Sequence, residues 1–229
     1  MTKCAFCNDT GYLLSPNVAQ PITIKCSSKT CTYWPNNIMV SLDLEMNQPS
    51  RKIIEIGYTI GDTQTGEIFL KKGLIVNPKE QLAEFIVKLT HITQEMVDSG
   101  ASLIDAYLEL VKDCEKYGVS RQAVVWGGGD IRTLKDQVYH ADHELMPLHW
   151  QFGYTEMNIK DVVQAILKAH QAKTQGGLAK ALGKFGMSFK GVKHRAIDDS
   201  VNTFLLYVEL LNRLKSVTVN VPAHAKGKL

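Results

Sequence analysis

Ile38-Met39-Val40-Ser41-Leu42-Asp43-Leu44-Glu45 is an apolar run that closes on two carboxylates. It reads as a strand, and residues 52–61 and 67–76 read as two more. The polar stretch 62–66 between the last two predicts a hairpin. Helical spacing follows over 79–89 and 101–117. Residues 123–126 form a short apolar strand running into Gly127-Gly128-Gly129, and a helix is expected after Asp130. A fifth short strand at 157–160 and helices over 161–171, 176–185 and 196–214 complete the pattern. Three strands, then helices interleaved with two short strands, predict an α/β three-layer domain with a mixed five-stranded sheet.

The chain has 229 residues, enough for one main domain and a small appendage. Hydrophobic residues make up 45% and charged residues 21%, which argues against wholesale disorder. The expected division is a small segment over 1–37, a main domain over 38–215 and a basic tail over 216–229. No run of 18 apolar residues is present, and the first residues lack the apolar stretch of a secretory signal. No membrane partner and a cytoplasmic location are therefore the expectations. The net charge of +3 is unevenly spread. Residues 1–37 set Lys3, Lys25 and Lys29 against Asp9, and residues 210–229 hold Arg213, Lys215, Lys226 and Lys228 with no acid. The middle of the chain is left net acidic. An acidic centre between basic ends suits a nucleic-acid partner, and it equally suits solvated termini.

Four of the five cysteines fall in the first segment, as Cys4-x2-Cys7 and Cys26-x4-Cys31. Two close pairs separated by a loop suit tetrahedral Zn²⁺, and four thiolates leave no open position, so one structural Zn²⁺ is expected. Reduced thiols or two disulfides are the alternatives. A segment this short without a strong apolar core needs some staple. It is also a candidate docking site for a protein partner. Cys114 recurs with Leu103, Ile104, Tyr107, Leu110 and Val111 at helical spacing and reads as a core thiol.

Three further stretches carry chemistry. In a strand, residues i and i+2 share a face, so Asp43 and Glu45 project together. Two adjacent carboxylates repel unless a cation lies between them, and hard divalent cations favour such oxygen ligands. Asp130 follows three glycines at a strand-to-helix turn. It can serve as an N-cap, or stand at the open end of the sheet where ligands bind. His194-Arg195-Ala196-Ile197-Asp198-Asp199 leads into a strongly apolar helix. A histidine on such a loop reaches water and exchanges protons near neutrality. One acid caps a helix; two in succession exceed that need. His140, His143, Lys71-Lys72 and Lys190…Lys193 are weaker candidates for metal or strand contact.

Asp43-x-Glu45, Asp130 and His194-x-Ala196-x-x-Asp199, in that order, resemble the three motifs of the DEDDh exonucleases, the DnaQ-like branch of the ribonuclease H-like superfamily. The resemblance covers about residues 38–214. Leu89-Thr90-His91-Ile92-Thr93, Trp126…Asp130, Asn158-Ile159-Lys160 and Gly177-Leu178…Leu182-Gly183 are similar to the KapD-like proteins and the histone-mRNA and small-RNA 3′ exonucleases. His91 departs from that branch, where Gly is frequent. The resemblance implies a ribonuclease H-like domain and a 3′→5′ exonuclease that releases nucleoside 5′-monophosphates from single-stranded RNA or DNA 3′ ends. It implies two Mg²⁺ or Mn²⁺ held by Asp43, Glu45, Asp130 and Asp199, with His194 as general base. Met46, Leu89, His91 and Ile92 are the candidate walls of the terminal-nucleotide pocket. RNA is favoured over DNA by the branch alone. A DNA exonuclease of proofreading or repair, and a non-catalytic nucleic-acid adaptor with a zinc knuckle, are the alternatives.

Overall fold

A computed structural model describes residues 12–14, 23–25, 37–119, 122–142, 151–152 and 156–217. Within the first segment, β1 (Tyr12–Leu14) pairs antiparallel with β2 (Thr23–Lys25). Cys4, Cys7, Cys26 and Cys31, and the tail from residue 218, lie outside the described residues.

The main sheet is built from β3 (Ile38–Met46), β4 (Ile53–Asp62), β5 (Ile68–Ile75), β6 (Ala123–Val125) and β7 (Met157–Asn158). Its order is β5-β4-β3-β6-β7. The β4–β5 hairpin and the β3–β4 pair are antiparallel, and β6 and β7 join in parallel, so the sheet is mixed as expected. The helices are α1 (Glu84–Thr90), α2 (Gln94–Asp98), α3 (Leu103–Lys116), α4 (Asp130–Ala141), α5 (Ile159–Ala169), α6 (Leu178–Lys184) and α7 (Ala196–Leu214).

The period of two in β3 sorts its side chains into layers. Val40, Leu42 and Leu44 face a core completed by Tyr107, Leu110 and Cys114 of α3 and by Leu134 and Val138 of α4. Met39 faces the other way, into a core built by α5, α6 and α7. Asp43 and Glu45 share the parity of Met39, so they stand on the α7 side. Among the described residues, no helix is long and apolar enough to cross a membrane.

Three of the departures from the sequence expectation have a local reason. The helix expected from residue 79 starts at Glu84, because side chains capture the preceding amides. Leu82 N–H donates to Gln94 Oε1 at 2.8 Å and Ala83 N–H to Asn47 Oδ1 at 2.9 Å. The fifth strand stops at Asn158, whose side chain accepts from Lys160 N–H and starts α5. Asp130 is the first residue of α4, not its cap; Gly129 fills that position with φ 100°.

Lys72, a candidate for strand contact, is committed elsewhere. Its ammonium reaches Glu109 at 2.9 Å and the nearly buried Asp113, which also accepts from Tyr58 Oη at 2.7 Å. Burial alone would raise the Asp113 carboxyl, but the Lys72 and Tyr58 hydrogen bonds and the Lys72 charge hold it below its ordinary range.

Helix α7 approaches the sheet over small residues. A Cβ at Gly57 would overlap the Ala196 carbonyl group. Thr59 and Ser200 hydroxyls meet at 2.9 Å one step further along. Gly57→Ala is therefore expected to destabilise the domain by at least about 2 kcal/mol in urea unfolding, through overpacking against backbone. Gly183→Ala, in α6 with open space around its Cα, is expected to be neutral or stabilising by up to about 1 kcal/mol. Equal effects of the two would contradict this packing.

Candidate active site

Three elements meet at the C-terminal end of β3. Asp43 and Glu45 come from the strand itself. The parallel neighbour β6 runs into Gly127, Gly128 and Gly129, all with positive φ, and delivers Asp130 at the start of α4. Helix α7 delivers Asp199 from its first turn, with His194 on the loop before it. Ligating atoms of Glu45, His194 and Asp199 all lie within 4.8 Å of one another. His194 is exposed and the four acids are half-buried.

The 191–199 segment explains why two acids stand in succession. Asp198 accepts from Val192 N–H at 2.8 Å and Asp199 from His194 N–H at 2.9 Å. Asn202 clips the loop from the next turn, accepting from Lys190 N–H at 2.9 Å and donating to its carbonyl at 2.8 Å. The turn puts His194 at φ 62°. Neither acid is the N-cap, which is Arg195.

Two supporting groups escaped the sequence reading. Glu55 lies opposite Glu45 in the β3–β4 register and is fully buried. It accepts from Arg195 Nε at 3.1 Å and Nη2 at 2.9 Å, and from Ala196 N–H at 2.9 Å. Removing either partner of such a pair costs about 3–5 kcal/mol, because the remaining charge is stranded. Its signal was an isolated acid in the apolar run Ile53–Ile60, a group that must have a partner. The second is Glu156. It accepts from Gly129 N–H and, at 3.0 Å, from Ile131 N–H, so it satisfies the exposed amides at the start of α4. Asn158 Oδ1 accepts from Gly127 N–H at 3.0 Å. Bonds to backbone amides leave no residue pattern, so no sequence signal marks Glu156.

Gathering these acids is electrostatically costly. Burial, then the charges of Asp130, Asp199, Glu45 and Glu55, raise the Asp43 carboxyl well above its ordinary range. Burial and the Asp199 charge push Glu45 up to about 8. Burial and the Glu156 charge take Asp130 to about 7. Burial takes Asp199 to about 6, against the His194 amide hydrogen bond and charge, which pull it down. A cluster of oxygen donors with unbalanced negative charge is what a hard divalent cation requires. The residues present therefore fit metal ions.

The candidate pocket walls fall into two groups. Leu89 and His91 are exposed and Met46 is half-buried. His91 ends α1 at φ 59°, the left-handed conformation that Gly adopts most easily. Ile92 is fully buried with Ile54, Leu82, Ile86 and Val97, and supports this region from below. His140 is exposed at the end of α4; His143 lies outside the described residues.

Carboxylates from the end of β3 and from the first turns of α4 and α7 thus form a site of the kind that holds divalent cations. Comparison with known proteins identifies the family. Residues 40–207 match the Exonuclease family model. The chain is 28% identical over 178 residues to human "ERI1 exoribonuclease 2", covering 69% of this chain and 25% of that protein. It is 26% identical over 184 residues to the "Probable 3'-5' exonuclease KapD" of Bacillus subtilis, covering 75% of this chain and 83% of that one. The fold matches the nuclease domain of 3′hExo, described as a DEDDh family member bound to rAMP, with a TM-score of 0.63 and 22% identity over 83% of this chain and 98% of that one. The chain belongs to the Exonuclease family. It spans about a quarter of the length of the human relative.

The raised carboxyls set a pH dependence. Between the ordinary carboxylate range near 4 and the folded values of about 6 to 8, the folded chain binds more protons than the unfolded one. Stability of the metal-free chain is therefore greatest at the acid end of that window and falls as pH rises through it. With chelator, Tm is expected to fall between pH 5.5 and 8.5, and Mn²⁺ is expected to raise Tm more at pH 8.5 than at 5.5. A Mn²⁺ effect equal at both pH values would contradict the acid cluster.

Proposed function

We propose that the protein is a metal-dependent 3′→5′ exonuclease that releases nucleoside 5′-monophosphates from single-stranded 3′ ends, RNA in preference to DNA. The observation that carries this is the convergence of Glu45, Asp199 and His194 within 4.8 Å at the end of β3, which also bears Asp43, with the Asp130 charge acting on it from the start of α4. Asp43, Glu45, Asp130 and Asp199 would hold two divalent cations, which when bound would polarise the scissile phosphate and lower the pKa of the attacking water. Four carboxylates balance two such ions.

The remaining chemistry belongs to the chain. His194, exposed on a loop clipped to α7, accepts the proton of the attacking water at an imidazole nitrogen. A positioned base of this kind contributes about 10²–10⁴ in rate. Glu55 and Arg195 hold the segment that carries both His194 and Asp199, and Glu156 with Asn158 holds the glycine turn before Asp130. Met46, Leu89 and His91 flank the terminal nucleotide, with Ile92 packed beneath. A single-stranded end is favoured because a paired end must first be unstacked and unpaired. RNA is favoured by likeness to proteins named exoribonucleases. The intact set of acids and histidine weighs against a non-catalytic adaptor.

We place one structural Zn²⁺ on Cys4, Cys7, Cys26 and Cys31, on their spacing alone. Elemental analysis of chain purified without chelator is expected to show about one zinc; four freely titratable thiols and no zinc would remove it from the account.

The central test uses 5′-labelled single-stranded RNA and DNA of one sequence with Mg²⁺. The parent chain is expected to shorten RNA stepwise from its 3′ end. Asp43→Asn and Asp199→Asn are each expected to lower the rate at least about 10³-fold, and His194→Ala about 10²-fold or more with Mn²⁺ affinity nearly unchanged. Full turnover in either Asn variant would overturn the metal assignment. DNA degraded tenfold faster than RNA would replace the RNA reading with a DNA exonuclease.

A further inference from the structure

A shallow surface cleft opens beside the glycine turn, between α5 and α6. Lys160, Lys173, Lys180 and Lys184 line it, together with Trp126. No carboxylate lines it among the described residues. Lys180 and Lys184 lie four residues apart on one face of α6. The stem of Lys180 packs where a Cβ at Gly176 would sit, so the side chain runs along the cleft wall. Four lysines around one cleft with no acid among its lining residues favour an anionic occupant.

The cleft is joined to the acid site through the chain itself. Trp126 immediately precedes Gly127, the first residue of the turn that delivers Asp130. Asn158 Oδ1 accepts from both Gly127 N–H and Lys160 N–H, tying the floor of the cleft to that turn. The lysines thus lie on the β7 side of the acids, while the candidate walls of the terminal-nucleotide pocket lie near α1 on the other side.

We propose that this cleft binds the phosphodiester backbone of the strand upstream of the 3′ terminal nucleotide, with the Trp126 indole as a stacking face for a base. The proposal rests on the exonuclease reading above and adds a site to it. Spaced ammonium groups beside an aromatic face match single-stranded nucleic acid, whose charges repeat along the backbone and whose bases all offer a π surface. Strand length then sets affinity, because only a strand longer than the acid site reaches the lysines.

The test measures binding by fluorescence anisotropy with 5′-labelled uridine 15-mer and 3-mer in Mg²⁺. The full chain carries Asp43→Asn so that the strand is not consumed. Adding Lys173→Glu and Lys180→Glu is expected to weaken 15-mer binding at least tenfold. The slope of log affinity against log salt should become shallower by about 1.4, since each single-strand phosphate contact contributes about 0.7. Binding of the 3-mer should move less than twofold. Lys173→Gln with Lys180→Gln, which only neutralises, should give a smaller loss in the same direction. Lys88→Glu with Lys112→Glu, on exposed faces of α1 and α3, matches the charge change and should leave 15-mer affinity within twofold. Unchanged affinity and slope, an equal loss for the 3-mer, or an equal loss in the control pair would each overturn the cleft. If the unsubstituted chain degrades 3′ ends while the cleft variants bind at parental affinity, only the cleft proposal falls. If it neither degrades nor binds any strand, the exonuclease reading falls and takes the cleft with it.

Discussion

The N-terminus of α7 lies against β4 at Gly57, and Glu55 beside it receives the Ala196 amide and the Arg195 guanidinium. This contact brings residues 194–199 across the sheet to strand acids some 150 positions earlier in the chain. Without it, Asp199 and His194 have no fixed relation to Asp43 and Glu45. A buried, fully partnered ion pair adds little net stability by itself, but it penalises every arrangement that separates its members. Glu55 also raises the local negative charge, because it stands opposite Glu45 in the next strand. The clamp that assembles the site therefore adds to its electrostatic cost.

That cost is the functional asset. A carboxylate cluster relieved by solvent would bind a divalent cation weakly. Here burial is the largest cause of the raised carboxyl values on Asp43, Glu45, Asp130 and Asp199, and mutual repulsion adds to it at the strand pair. Hydrogen bonds tie down the backbone on either side of the acids. Glu156 and Asn158 hold the glycine turn, while Asp198 and Asn202 hold the 190–194 loop. Protonation and cation binding are then the two ways to relieve the charge, and at neutral pH an arriving cation displaces the protons that Glu45 and Asp130 hold.

Much of this was legible in the residues. The alternation of β3 put Asp43 and Glu45 on one face, and the polar stretch before β5 marked the hairpin. The order of acids resembled a known set of motifs, which the family match bears out. What escaped reading was polar and non-local. Glu156 binds amides, and amides carry no side-chain pattern. The delayed start of α1 follows from Asn47 and Gln94 competing for its first N–H groups, a contact across 36 residues in one case. Asp130 resembled a cap, and only the positive φ of Gly129 releases it from that duty. Lys72 resembled a free cation because Asp113 lies 41 residues away.

The most direct test of the account is calorimetric titration of Mn²⁺ into the metal-free chain at pH 7, in two buffers of different ionisation enthalpy. The difference in observed heat counts protons released on binding. Carboxyls raised to about 7 and about 8 hold protons at that pH, so release of about one proton or more per chain is expected. Asp43→Asn should bind more weakly and release fewer. Tight binding with no proton released would contradict an acid cluster that is kept protonated until its cations arrive.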